Sequence, residues 1–248
     1  MDRNNHPCFD DSARHRYARV HLPVAPRCNI QCNFCDRKMD CLNESRPGVT
    51  SSVLSPGQAV YYLDQVLREV QDLSVVGIAG PGDPFAQPEL TLETLSRVRE
   101  RHPDLLLCVA SNGLQVAEHA RRLAELGTSH VTITMNATTA ETAKKIYAWV
   151  RIGRRIYRGI EAAEVLLERQ AEAVRSLSAH GVTVKVNSIL IPGVNDREIS
   201  HVAAYAKSLG AHLHNIMALY PIKGTPLGDT TTAPTPSPHS CPAATRAT

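Results

Sequence analysis

Four of the chain's seven cysteines fall in the stretch RCNIQCNFCDRKMDC, Arg27 to Cys41. Cys28, Cys32 and Cys35 are spaced C-x3-C-x2-C, and Cys41 follows six residues later. Thiols this close can close a tetrahedral zinc site as a small structural knuckle. Zinc sites, however, usually pair two short hooks across a longer loop, and these four crowd together. The other chemistry open to them is an iron–sulfur cluster. There, three thiolates leave one iron free to bind a substrate or cofactor directly.

The rest of the composition sets bounds on this chemistry. At 248 residues, 43% hydrophobic and 21% charged, the chain suits one large globular domain. A formal net charge of +3 is too mild to argue for nucleic acid or an anionic membrane as partner. The longest apolar runs, such as SVVGIAG, are strand-sized, so no segment is expected to span a bilayer. The polar amino terminus MDRNNHPCFDDSARHRY reads as no secretory signal, which points to the cytoplasm, where thiols stay reduced. An odd number of clustered cysteines suits metal binding better than a disulfide framework.

Short β-rich runs alternate with longer helical patterns. Strands are expected at 18–24, 74–80, 105–113, 130–136, 182–193 and 212–221. Helices are expected from Ser55 as N-cap with Pro56 at the first position, and near 89–101, 115–126, 161–179 and 195–208. Apolar strands alternating with amphipathic helices imply parallel βαβ units. Six of them fit an α/β fold of the partial (βα)6 TIM-like barrel type, with its chemistry at the carboxyl ends of the strands. The barrel is expected over 18–228, with an amino-terminal segment, 1–17, closing over it. The ending 229–248, rich in Thr, Pro and Ala, has no apolar period and reads as a disordered tail. The basic run VRIGRRIYRG, 150–159, reads first as a solvated loop and second as a contact for a partner or an anionic cluster.

The C-x3-C-x-aromatic-C loop directly after a first strand resembles the signature of the radical S-adenosylmethionine (radical SAM) superfamily. The resemblance implies that Cys28, Cys32 and Cys35 hold a [4Fe–4S] cluster whose open iron chelates S-adenosylmethionine. Phe34 would pack near the adenine. GIAGPGDP occupies the place of the superfamily's glycine-rich turn, with Gly80, Gly82 and Asp83 as cofactor-binding candidates. Asn112 in SNG and Asn187 and Ser188 in VNSILIPGVND are further candidates at strand ends. Each of these also has a plain reading as a turn or capping residue.

A closer resemblance is to the NifB family of nitrogenase iron-molybdenum cofactor biosynthesis. It is carried by RVHLPVAPRCNIQCNFCDRKMDCLNESRPGVTS, LSVVGIAGPGDP, VKVNSILIPGVND and HNIMALYPIKGTP. It implies a lyase and methyl-transfer enzyme that fuses two [4Fe–4S] clusters into an eight-iron precursor, inserting a carbide derived from S-adenosylmethionine and a sulfur. Carried over, His21, Cys41 and Cys108 would hold the first additional substrate cluster, with His6 as a rival imidazole. Cys8 would serve the second, together with a carboxy-terminal C-x2-C pair. That pair has no counterpart here; Cys241 stands alone in the tail, as in a truncated or frame-shifted copy. Asn43, Glu44 and Arg46 are candidate catalytic groups managing protons and cluster charge, or else a capping sequence. Implied partners are an iron–sulfur cluster donor, a cofactor carrier or scaffold protein, and a reductase, flavodoxin or ferredoxin as electron donor. Two other readings stand beside this one: a radical SAM enzyme acting on an organic substrate, and a non-catalytic iron–sulfur or zinc-binding protein.

Overall fold

The computed structural model describes residues 6–10, 12–42 and 52–231. Asn43, Glu44, Arg46 and Cys241 lie outside the described residues. Strand β1 (Ala18–His21) opens the domain and leads into the cysteine loop, inside which β2 (Ile30–Cys32) forms. Helix α1 (Pro56–Glu69) starts as the sequence predicts, at a capping box. The Ser55 hydroxyl accepts from Gln58 N–H, and the Gln58 side chain accepts from Ser55 N–H at 2.9 Å. Strand β3 (Leu73–Ile78), helix α2 (Pro88–Arg101), strand β4 (Leu106–Ser111), helix α3 (Ala120–Glu125) and strand β5 (Thr128–Thr134) continue the alternation.

After β5 come helix α4 (Ala140–Ile146), strands β6 (Tyr147–Ile152) and β7 (Arg155–Tyr157), and helix α5 (Gly159–Ala179). Strand β8 (Thr183–Leu190), helix α6 (Ile199–Ser208) and strand β9 (Leu213–Ala218) complete the described order. Six parallel strands, in the order β1-β3-β4-β5-β8-β9, form a half-barrel. Strands β3, β4 and β5 are buried along their whole length, which is why they read as continuous apolar or small-residue runs. Helix α5 buries Ala162, Leu166, Ala173, Val174 and Leu177, a stripe at helical spacing.

The segment 150–159 is not a solvated loop. It forms most of a β6–β7 hairpin that pairs antiparallel with β2, Ile30 opposite Val150 and Gln31 opposite Trp149. Tyr147 and Val150 turn inward while Ala148 and Arg151 stay exposed, so the strand is anchored under an arginine-rich surface. The Trp149 ring lies between Arg37 and Arg151, whose guanidinium carbons stand 5.8 and 5.6 Å from its centre. This small sheet fixes the cysteine loop against the barrel. Asn33 N–H donates to Ile146 O at 2.7 Å, and Arg151 N–H to Asn29 O at 2.8 Å.

Candidate functional site

Two cavities adjoin within the half-barrel and share Ala110 on β4. The first lies beyond the strand ends. Cys28, Cys32, Phe34, Cys35 and Cys41 line it on one side, and Pro81, Gly82, Asp83, Ser111 and Asn112 on the other. The second lies deeper, between the strands and the amino-terminal turn.

Close backbone approach builds the first cavity. The turn after β3 runs beside the segment entering the cysteine loop: Gly82 N–H donates to Ala25 O at 2.6 Å, and Asp83 N–H to Arg27 O at 2.7 Å. A Cβ on Gly82 would stand 2.1 Å from Arg27 O, so only glycine fits there. Asp83 is buried and its carboxylate is fully engaged. It accepts from Ser111 Oγ at 2.9 Å, Asn112 N–H at 2.6 Å and Phe85 N–H at 2.9 Å. Burial raises its pKa, and these hydrogen bonds oppose the rise. Asp83 thus ties the glycine turn to the end of β4. Asn112 in turn donates to Asn29 Oδ1 at 2.6 Å and reaches Cys28 Sγ at 3.7 Å. Phe34 is wholly buried against Leu114, Ile189 and Ile191.

Burial pushes the Cys28 thiol up to about 11, with the Asp83 carboxylate adding to the rise. Cys32 is raised well above the ordinary range, first by burial and then by repulsion from Cys35, Cys28 and Cys41. The four sulfurs therefore sense one another, and a cationic iron core would compensate thiolates that burial disfavours. Among the described residues no three His, Cys, Asp or Glu side chains converge where a single ion could sit. Thiols spread around a cavity suit a group offering several irons.

Sheet register builds the second cavity. His21 lies opposite Gly77, Gly77 opposite Cys108, and Cys108 opposite His130, a row crossing four strands on one face. A Cβ on Gly77 would stand 2.6 Å from His21 Cδ2, so the missing side chain leaves room for the imidazole. Burial, with Arg19 and Lys185 nearby, lowers the His21 pKa to about 4 and keeps the ring neutral, as ligation requires. The amino-terminal turn adds His6, Cys8 and Phe9, and Arg19 touches the Cys8 sulfur. Among the described residues no Asp or Glu lines this cavity, while Arg19 and Lys185 do.

The sequence grouped His21, Cys41 and Cys108. The structure brings His21 and Cys108 together with Cys8, whereas Cys41 lines the first cavity beside the signature thiols. Gly80 stands between Ala79 of one cavity and Pro81 of the other, and a Cβ on it would lie 4.0 Å from Cys41 Cβ. Cys41 therefore occupies the seam. Asn187 lines the second cavity and accepts from Asn215 Nδ2 at 3.2 Å. Ser188 lines neither cavity; its hydroxyl donates to Met135 O and stands 2.9 Å from His214 Nε2, joining β8 to its neighbours. Sequence reasoning missed Lys185, His130, Ser111 and Asn29. Asn29, beside Cys28, and Ser111, beside Asn112 in SNG, carried a positional hint.

The radical SAM superfamily profile matches residues 22–206. The chain belongs to the radical SAM superfamily. Its half-barrel aligns with two radical SAM folds of known structure. One is methylornithine synthase, with a TM-score of 0.58 and 18% identity over 88% of this chain and 58% of that one. The other is a radical S-adenosylmethionine methyltransferase from Kitasatospora setae, with a TM-score of 0.58 and 17% identity over 88% of this chain and 39% of that one.

Within the radical SAM superfamily the chain is similar to the FeMo cofactor biosynthesis protein NifB of Chlorobaculum tepidum. Identity is 59% over 216 residues, covering 87% of this chain and 51% of that protein. Against NifB of Klebsiella pneumoniae it is 52% over 225 residues, 90% of this chain and 48% of that one. The chain spans about half the length of the curated relatives it matches. No described helix is long and apolar enough to cross a membrane.

Proposed function

We propose that this radical SAM protein carries out the cluster-fusing step of nitrogenase cofactor biosynthesis. Two [4Fe–4S] substrate clusters would become an eight-iron, carbide-centred precursor. The observation that carries the reading is the pairing of adjoining cavities, one lined by the C-x3-C-x2-C thiols and the other by His21, Cys108 and Cys8. A radical SAM enzyme acting on an organic molecule has no need of thiols and an imidazole in its substrate cavity.

Cys28, Cys32 and Cys35 would hold the resident cluster, which supplies one-electron cleavage of S-adenosylmethionine when bound. Asn112 donates toward the Cys28 sulfur and orients that ligand. Gly82 lets the turn close on the backbone at Arg27, and backbone groups of that turn would meet the methionyl end of the cofactor. Phe34 and its apolar neighbours exclude water from the reacting region. His21 and Cys108 would bind the first substrate cluster, with Cys41 reaching it from the seam. Cys8, on the turn above them, is the thiol available to the second. Arg19 and Lys185 balance the negative charge of thiolate-bound clusters. A cluster donor, a cofactor carrier and a flavodoxin or ferredoxin are the partners this role requires.

Anaerobic reconstitution with iron and sulfide, followed by metal counting and an assay for 5′-deoxyadenosine under reducing conditions, tests the reading. Iron exceeding one cluster per chain together with 5′-deoxyadenosine is expected. Zinc alone, or a loaded chain that never cleaves S-adenosylmethionine, would refute it.

A further inference from the structure

His6 has no assigned role, and its surroundings decide what it can do. The imidazole is 1% exposed and lines the second cavity. Its ring is held edge-on to Phe9, centroids 4.6 Å apart, and against His130 at 4.4 Å. Backbone N–H groups of Phe9 and Asp10 both donate to His6 O at 3.0 Å, closing the turn that presents it. The ring is therefore a fixed part of the cavity wall.

The tautomer follows from one contact. Cys8 N–H donates to His6 Nδ1 at 3.1 Å, so Nδ1 offers a lone pair and carries no proton. In a neutral imidazole the proton then sits on Nε2. Nε2 is buried and has no hydrogen-bond partner among the described residues. A ring in this state cannot ligate iron through Nε2, because the lone pair is taken by the N–H. What it can do is donate. A buried donor without an acceptor is costly, and a ligand bringing an acceptor relieves that cost. Among the described residues the lining supplies Arg19 and Lys185 and no carboxylate, so the acceptor suited to it belongs to an anion.

We infer that His6 donates its Nε2–H to a sulfide of the iron–sulfur substrate in the second cavity, as a positioning residue and not as a ligand. The inference rests on the function proposed above. It also divides the two imidazoles that compete in the sequence, His21 as ligand and His6 as donor.

Two experiments test it. In the chain before reconstitution, nitrogen-15 labelling of histidine reports the tautomer through two-bond couplings. His6 is expected as the Nε2–H form, and the Nδ1–H form overturns the inference. The second experiment uses chain reconstituted with iron and sulfide in a Cys32→Ser background, which removes the signature-loop signal. There His6→Ala should keep the iron of the second cavity and lower its midpoint potential, because N–H bonds to sulfide favour the reduced cluster. His6→Gln restores a donor and should return the potential toward the parent value. Loss of that iron in both variants would make His6 a ligand, and an unmoved potential would make it structural; either overturns the inference. A parent chain that takes up no iron in this cavity overturns the proposed function, and this inference with it.

Discussion

His21 can lie across the sheet because position 77 on the neighbouring strand has no side chain to meet it. Gly77→Ala should displace the imidazole, lowering iron uptake in the second cavity while 5′-deoxyadenosine formation persists. Iron counting paired with that assay checks it, and equal loss of both would contradict it. Asp83 behaves differently, as a strut whose oxygens are all used within the protein. Asp83→Asn replaces one acceptor oxygen by a donor and should cost about 1–3 kcal/mol in urea unfolding. It should weaken S-adenosylmethionine binding as well, since it loosens the glycine turn. At this scale the signature thiols were legible because their spacing is local. Lys185, His130 and the pairing of His21 with Gly77 were not, because they depend on register between strands distant in sequence.

The cysteine loop owes its position to two elements packed beside it. On one side the turn after β3 closes on the loop's own backbone, with no space for a Cβ at Gly82. Gly82→Ala should therefore strip both iron and S-adenosylmethionine binding. Gly57→Ala is the control, in the first turn of α1 with open space at its Cβ; it should leave binding intact and gain about 0.4–1 kcal/mol in thermal unfolding. On the other side, β2 pairs with β6, and α4 leads directly into β6. The start of α4 is held by Glu198, which accepts from Thr138 N–H at 3.0 Å and Thr139 Oγ1 at 2.6 Å. Burial pushes the Glu198 carboxyl up, but its hydrogen bonds from Thr139, Thr142 and Thr138 outweigh burial and hold it at about 2. A depressed carboxylate stabilises the fold above its unfolded value of 4.5 and loses that contribution as pH falls toward 2. Glu198→Gln should flatten the stability curve across that window, measured by denaturation at stepped pH; an unchanged curve would argue against the cap. The start of α1 was visible from Ser55 and Pro56 alone, while the reciprocal bond from Gln58 that completes its capping box came from the structure. The β6–β7 hairpin was hidden, because its burial does not alternate and its partner β2 is three residues long.

The half-barrel as a whole was legible from alternation: each of its six strands was anticipated, with ends shifted by a few residues. What alternation cannot show is how the strand-end segments divide the interior. The division into adjoining cavities arises because the amino-terminal turn, the cysteine loop and the glycine turn meet over the same sheet, with Cys41 at their seam. That arrangement suits an enzyme that must cleave a cofactor in one compartment and modify a cluster in the next. The most direct test compares Cys32→Ala with Cys108→Ala after anaerobic reconstitution, following cluster signals by electron paramagnetic resonance alongside 5′-deoxyadenosine. Cys32→Ala should abolish 5′-deoxyadenosine and keep the second-cavity signal, and Cys108→Ala should do the reverse. Loss of both readouts in both variants would contradict a division of labour between the two cavities.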